Sequence, residues 1–127
     1  MMNEEVPKKR TGITRLFFAL KYTFEGLKHA VLYEAAFRQE FVFCIITLPL
    51  MFFLEISAEI RLFIFFATMF VMVTELLNTG LEAIVDKVSP EFHILAKQAK
   101  DMGSAAVFLA LTTLATIWGY AIYLIVI

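Results

Sequence analysis

At 127 residues the chain has room for one domain, and 61% hydrophobic residues, 14 Phe and a mean hydropathy of +0.79 exceed the apolar share of about half found in ordinary soluble domains. A net charge of −1 offers no basic excess for nucleic acid, and the single cysteine, Cys44, excludes a disulfide or a thiolate metal site within one chain. The expected class is a small, all-α integral membrane protein.

Residues 1–9 are polar and expected to be loosely ordered. No short apolar region with a small-residue cleavage site follows, so no signal peptide is read. A helical pattern starts at Thr14, a plausible N-cap, and runs to about residue 33. Leu16, Leu20, Phe24, Leu27 and Val31 share one stripe, with Lys21, Glu25, Lys28 and His29 on the other flank. One apolar stripe beside a basic flank describes a helix lying in the interface of an anionic leaflet. Glu34 falls back on the apolar stripe in this phase, which makes it a carboxylate that needs an explanation.

The first span is expected over about 35–56. Phe41 to Leu54 alone is too short to cross roughly 30 Å of hydrocarbon, so Ala35, Ala36 and Phe37 must join it, with Arg38, Gln39 and Glu40 near its start. Arg38 is expected to snorkel to the headgroups and pair with Glu40, and Pro49 to kink the helix. A short connection, Glu55 to Glu59, leads to a second span over about 61–85. Residues 87–100 read as a polar loop containing Ser89-Pro90-Glu91-Phe92-His93, and a third span over about 102–127 completes a single membrane domain. Gly103, Ser104, Ala105 and Ala106 are small enough for a close helix approach, while Trp118 and Tyr120 fit an outer aromatic belt.

Seven of the eleven Lys and Arg residues precede residue 41, one follows the first turn, and three lie between 87 and 100. The positive-inside rule then puts the N-terminus and the second loop in the cytoplasm and the C-terminus outside.

The inner half of the second span carries Glu75, Asn78, Glu82 and Asp86. At helical spacing these four share an arc of about 80° on an otherwise apolar helix. A carboxylate in hydrocarbon must be protonated, paired or bound to a metal. Asp86, at the helix end, also suits a solvated face; Glu75 does not. Glu34, Glu75, Glu82, Lys100 and Asp101 gather at the cytoplasmic end. Oxygen-rich, thiol-free donors suit Mg²⁺, which commonly also holds substrate phosphates. No Walker-type or kinase-type motif is present. The residues by themselves leave phosphoryl transfer to a lipid and proton- or cation-coupled transport both open.

Three segments decide between them by resemblance. Glu34-Ala-Ala-Phe-Arg-Gln-Glu40, Glu75-Leu-Leu-Asn-Thr-Gly-Leu-Glu-Ala-Ile-Val-Asp86 and Ala99-Lys-Asp-Met-Gly-Ser-Ala-Ala-Val107 resemble the signature segments of the prokaryotic diacylglycerol kinases, over about residues 11–118. The resemblance implies an inner-membrane homotrimer whose protomers each have a surface helix and three transmembrane helices. It implies transfer of the γ-phosphoryl group of MgATP to diacylglycerol. By position, Glu75 resembles the catalytic base, and Glu34 and Glu82 the metal ligands beneath the ATP phosphates. Arg15, Tyr22, Glu91, Phe92, His93, Lys100 and Asp101 match nucleotide-contacting positions alongside Glu34 and Glu82. Arg38, Gln39, Glu40, Asn78 and Ser104, with Glu75, match the lipid side. The related undecaprenol kinases share the E-x-x-N-x-x-x-E core, and Leu77-Asn78-Thr79 and Ser89-Pro90-Glu91 read their way. The segments around Glu34 and Lys100 resemble the diacylglycerol enzymes more closely.

Overall fold

The computed structural model describes residues 8–127, and the first seven residues of the expected loose N-terminus lie outside the described part. Four helices follow one another: α1 (Gly12–Tyr33), α2 (Ala35–Leu50), α3 (Ala58–Val88) and α4 (Ile94–Val126). Contacts run from each helix to the next, with the α3–α4 hairpin forming the most extensive pair.

The α1 helix starts earlier than expected. Thr11 is its N-cap, without a side-chain capping bond, and Gly12 follows with φ +68, a left-handed value open to glycine at no steric cost. The Arg10 guanidinium lies 3.2 Å from the centroid of the Phe18 ring, an attractive cation–π contact. Leu16, Leu20 and Phe24 are all exposed by 60% or more. The first half of the apolar stripe is therefore uncovered by the rest of the chain, as a helix resting on lipid requires, while Leu27 lines a cleft against α3 and Val31 is half-buried.

Glu34 breaks the backbone with φ −105 and ψ 108 and serves as C-cap of α1 and N-cap of α2. Its position on an unbroken helical stripe therefore does not hold; it sits in the elbow between two helices. Arg38 does not pair with Glu40. Its Nη1 donates to the carbonyls of Val31 (3.2 Å) and Leu32 (3.1 Å), two of the acceptors that the end of α1 leaves without intrahelical partners. A guanidinium carries enough donors in a fixed fork to serve such a helix end.

With 16 residues, α2 is only about 24 Å long, short of a bilayer core. Pro49 lies in its last turn rather than at a mid-helix kink, since the ring supplies no N–H for the ladder. Tighter turns carry the chain on, with Phe52 N donating to Pro49 O and Phe53 N to Leu50 O. At the following connection Ser57 caps α3 by accepting from Ile60 N at 3.4 Å. Arg61 reaches back to the carbonyls of Met51 (3.2 Å) and Leu54 (3.1 Å).

Helices α3 and α4 are each long and apolar enough to cross a membrane. Their packing buries Ala67, Val71, Ala110 and Leu114 at mid-length, and Met51, Ile56, Ile64 and Ala121 near the α2–α3 turn. Trp118 packs against both groups and is half-buried rather than free in an interfacial belt, whereas Tyr120 is exposed. Many large apolar side chains face outward, Phe63, Phe66, Phe70, Phe108 and Leu109 among them. The hydroxyls of Thr47, Thr68, Thr74, Thr112, Thr113 and Thr116 each donate to the carbonyl four residues back, so none needs water within hydrocarbon. The fold is all-α and built for a membrane.

The polar loop expected over 87–100 shrinks to Ser89–His93. His93 caps α4, with Nδ1 accepting from Leu95 N at 3.2 Å, and Lys97 and Asp101 form an (i, i+4) ion pair on the first turns. Capping and ion pairing extend a helix beyond its apolar part, where hydropathy alone marks a loop.

Candidate functional site

The polar stripe of α3 is the spine of the site. Glu75 is 6% exposed, held seven residues before Glu82 and hence about 10.5 Å along the axis from it. Asn78 and Glu82 are half-buried and joined, with Asn78 Nδ2 donating to Glu82 Oε1 at 3.3 Å. The next polar residue along, Asp86, is exposed. Its Oδ1 receives Lys100 Nζ at 2.8 Å across the α3–α4 gap. This bond and the negative charge of Asp86 hold the Lys100 ammonium above the usual lysine range, so it stays cationic at any physiological pH.

The flanks of this spine carry the other carboxylates. On one side α1 meets α3 in a cleft of about 500 Å³ lined by Tyr22, Glu34, Leu76, Thr79, Gly80 and Ala83, among others. On the other side, a cleft of about 370 Å³ between α2, α3 and α4 is lined by Gln39, Glu40, Glu75, Asn78 and Ser104 with Ala36, Val107 and Leu111. Gln39, Glu40 and Leu111 also line an adjoining groove of about 670 Å³ that runs past Thr47, Thr68 and Leu114 to Trp118 and Ile122. A third recess, of about 450 Å³ at the α3–α4 loop, is lined by Asp86, Glu91, Phe92, His93, Lys97, Lys100 and Asp101, among others.

The charge arrangement is unusual. The carboxylates of Glu82 and Glu34 act through space on Glu75, and Glu75 in turn on Glu40. Among the described residues no Lys, Arg or His forms a salt bridge with any of these four. One oxygen of Glu40 is also buried with no hydrogen-bond partner, as is Asn78 Oδ1. Lys100, already bonded to Asp86, feels the Glu82 charge without bridging to it. Like charges gathered in a mostly apolar setting repel and are poorly solvated. Such a group can take up a cation or hold and pass on a proton.

The described residues contain no group of three or more His, Cys, Asp or Glu arranged to hold a metal by themselves. A hard cation held through one or two carboxylates, with its remaining positions left to water and phosphate, needs no such group. The donor chemistry at Glu34 and Glu82 fits Mg²⁺ in that form.

Within one chain most of the site residues expected from the sequence fall into three places, while Glu82 lines none of them and is joined to Asn78 along α3. Glu40, Glu75, Asn78, Gln39 and Ser104 share one cleft. Tyr22 and Glu34 share another, and Glu91, Phe92, His93, Lys100 and Asp101 share the loop recess. Arg15 is exposed on α1 and joins none of these, and Arg38 is engaged at the end of α1. Two relationships escaped the sequence: the Asp86–Lys100 bridge and the close approach of Gly103 to Asn78. A Cβ built at Gly103 would overlap Asn78 Oδ1. The small-residue run at 103–106 was the available signal for the second; the pairing across 14 residues left none for the first.

The family model described as prokaryotic diacylglycerol kinase matches residues 21–122. The chain is similar to the diacylglycerol kinase of Haemophilus influenzae (strain Rd), 46% identical over 112 residues, which covers 87% of this chain and 94% of the relative. It is 41% identical to that of Escherichia coli (strain K12) over 108 residues, 85% of this chain and 88% of the relative. Similarity to that of Helicobacter pylori (strain 26695) is 40% over 119 residues, 94% and 93% of the two chains.

Proposed function

The chain belongs to the prokaryotic diacylglycerol kinase family, and from that premise we propose that it transfers the γ-phosphoryl group of MgATP to the hydroxyl of diacylglycerol, giving phosphatidic acid, at the cytoplasmic face of a bacterial inner membrane. Membership carries the reaction class, a lipid acceptor and a nucleotide donor: the protein is a diacylglycerol kinase. The metal, the residue roles, the side of the membrane and the assembly are inferred from the observations that follow.

One observation carries the residue assignment. Glu75 is buried midway along α3 near the carboxylates of Glu34 and Glu82, and Glu40 lies near Glu75, with no salt bridge to any of them among the described residues. Phosphoryl transfer needs charge neutralisation, in-line positioning and a base for the acceptor hydroxyl. Glu34 and Glu82 would hold Mg²⁺. The metal would supply neutralisation of charge developing on the transferring phosphoryl group.

Glu75 is the base. It is buried, sits deeper than Glu82, and lines the cleft that opens into the apolar groove. A lipid lying with its acyl chains along the groove brings its hydroxyl to this carboxylate, which takes the proton. Glu40, Gln39, Asn78 and Ser104 form the polar wall around the glycerol, with Arg38 fixing the elbow from which that wall begins. Lys100, kept cationic by Asp86, meets the polyphosphate. Tyr22, Arg15, Glu91, Phe92, His93 and Asp101 bear on the nucleotide from α1 and the loop recess.

Three spans and a trimer complete the reading. The turns after α2 bring its apolar stretch to crossing length, and three copies cover the outward-facing Phe side chains and bring the nucleotide residues of one copy to the cleft of another. Light scattering of the solubilised protein is expected to give three protein copies per particle; one copy contradicts the shared site. A cysteine at Ser57, with Cys44 replaced, should react with an impermeant thiol reagent outside intact cells, and one at Ser89 only after lysis. The reverse pattern would put the site away from ATP.

The function is tested by offering diacylglycerol and undecaprenol in parallel mixed micelles with γ-labelled ATP. Label should pass to diacylglycerol in a Mg²⁺-dependent way. Preferential labelling of undecaprenol, or none of either, overturns the assignment of substrate.

A further inference from the structure

Gly103 of α4 lies directly against the Asn78 side chain of α3. A Cβ at Gly103 would overlap Asn78 Oδ1, and would also lie 3.2 Å from Asn78 Cγ and 3.3 Å from Leu81 Cδ2. The oxygen is buried with no hydrogen-bond partner, while the other end of the same amide donates from Nδ2 to Glu82 Oε1 at 3.3 Å. The orientation of the amide follows from chemistry. A carboxylate only accepts, so the NH₂ must turn to Glu82 and the carbonyl oxygen must then lie against α4. The oxygen has room there because residue 103 is glycine.

We propose that Gly103 is a positioning residue for the metal ligand Glu82: its missing side chain leaves the space that lets the Asn78 amide face Glu82 and orient its carboxylate.

The physical step is specific. The contact that a Cβ would violate is with the end of a side chain, which yields more cheaply than backbone does. In Gly103→Ala the Asn78 amide turns away, its hydrogen bond to Glu82 breaks, and the two helices stay packed. Groups that orient a metal-binding carboxylate typically change metal affinity by about 10- to 100-fold when lost. The expected defect is therefore in metal binding, whereas a purely architectural glycine would show its defect in stability.

This proposal rests on the reading of Glu82 as a metal ligand, and the experiment separates the two. The full-length protein in mixed micelles is titrated with Mn²⁺ in the presence of a non-hydrolysable ATP analogue, and bound Mn²⁺ is read by electron paramagnetic resonance. Thermal melting is measured in parallel. Gly103→Ala and Asn78→Ala should each weaken Mn²⁺ binding by about tenfold or more. The double variant should be no weaker than Asn78→Ala alone, because the amide that the new methyl displaces is already gone. Glu82→Gln serves as the reference.

If Glu82→Gln binds Mn²⁺ weakly and Gly103→Ala binds it normally, the positioning role is overturned and the metal site stands. Additive losses in the double variant overturn it equally. Unchanged Mn²⁺ binding in Glu82→Gln overturns the metal assignment and this inference with it. Should Gly103→Ala fail to assemble, the double variant decides: recovery of its melting transition places the clash on Asn78, and continued failure refers it to Leu81 or the backbone and overturns the proposal.

Discussion

At the α2–α3 turn, Arg61 gives its N–H groups to the carbonyls of Met51 and Leu54, and Met51, Ile56, Ile64 and Ala121 close on one another. From the middle of α3 towards the α3–α4 loop, Glu34 and Glu82 bear on Glu75 without a salt bridge to any of the three among the described residues, and open clefts lie on both sides of α3. Both regions belong to the same pair of helices and each leaves a polar atom buried without a partner, Trp118 Nε1 beside the first and a Glu40 oxygen and Asn78 Oδ1 in the second. Unpaired buried polar groups are costly, and only the second region adds several like-charged carboxylates to that cost, which is what the proposed binding of a cation there would offset. In this reading the chemistry lies apart from the α2–α3 turn along the helix axis.

The largest effect that would sharpen this contrast is expected at Glu75. Glu75→Gln keeps the shape and loses the proton acceptor, so kcat measured at saturating lipid should fall by about 10²- to 10⁴-fold with an unchanged melting transition. Near-normal turnover would remove Glu75 from the role of base.

The reverse is expected at the closed end. Ile64 is fully buried, and Ile64→Ala should lower stability by about 2 kcal/mol, the lower end for such truncations because lipid tails resemble the lost neighbours. The fraction that remains folded should keep its kcat. A drop in kcat without a change in melting would break the separation of the two ends.

The smallest effect is expected at the Asp86–Lys100 bridge, which is exposed and so weakened by solvent screening. Asp86→Asn should raise the KM for ATP by no more than about fivefold and leave the lipid KM and kcat in place. Because Asp86 holds the Lys100 ammonium above its usual range, the pair is intact below the ordinary lysine value and lost as pH rises through the raised one. No dependence on the bridge is therefore expected between pH 6 and 8, and a sharp change in the Asp86→Asn effect within that window would contradict the bridge.

The parts of the site that lie on one helix were legible in the sequence, because a fixed rotation per residue puts Glu75, Asn78, Glu82 and Asp86 on one stripe before anything is known about neighbours. Family membership, read from the segments around Glu34, Glu75 and Lys100, is borne out by the comparisons. So are the all-helical membrane class and the two long spans. What the sequence obscured was contact between helices and the ends of helices. Lys97 and Asp101 look like loop residues by hydropathy, yet they pair at helical spacing on α4. Arg38 looks like a partner for Glu40, but the free carbonyls at the end of α1 attract it instead. Glu34 falls between the helix expected to about residue 33 and the span expected from about 35, where the structure has it; what the helical phase misjudges is its side-chain direction, because one extended residue removes it from the stripe. Gly103 was marked only as small; that its space is filled by the amide of Asn78 depends on the register of two antiparallel helices.

The central claim is a division of labour along α3, with Glu75 handling the proton and Glu82 the metal. It is tested most directly by measuring phosphoryl transfer as a function of Mg²⁺ for Glu75→Gln and Glu82→Gln side by side at saturating diacylglycerol. Glu75→Gln should lose rate at every Mg²⁺ concentration with an unshifted half-saturation point. In Glu82→Gln the half-saturation point should rise by about tenfold or more, with partial recovery in Mn²⁺, which prefers similar ligands. A shifted Mg²⁺ requirement in Glu75→Gln together with an unshifted one in Glu82→Gln would contradict the assignment and exchange the two roles.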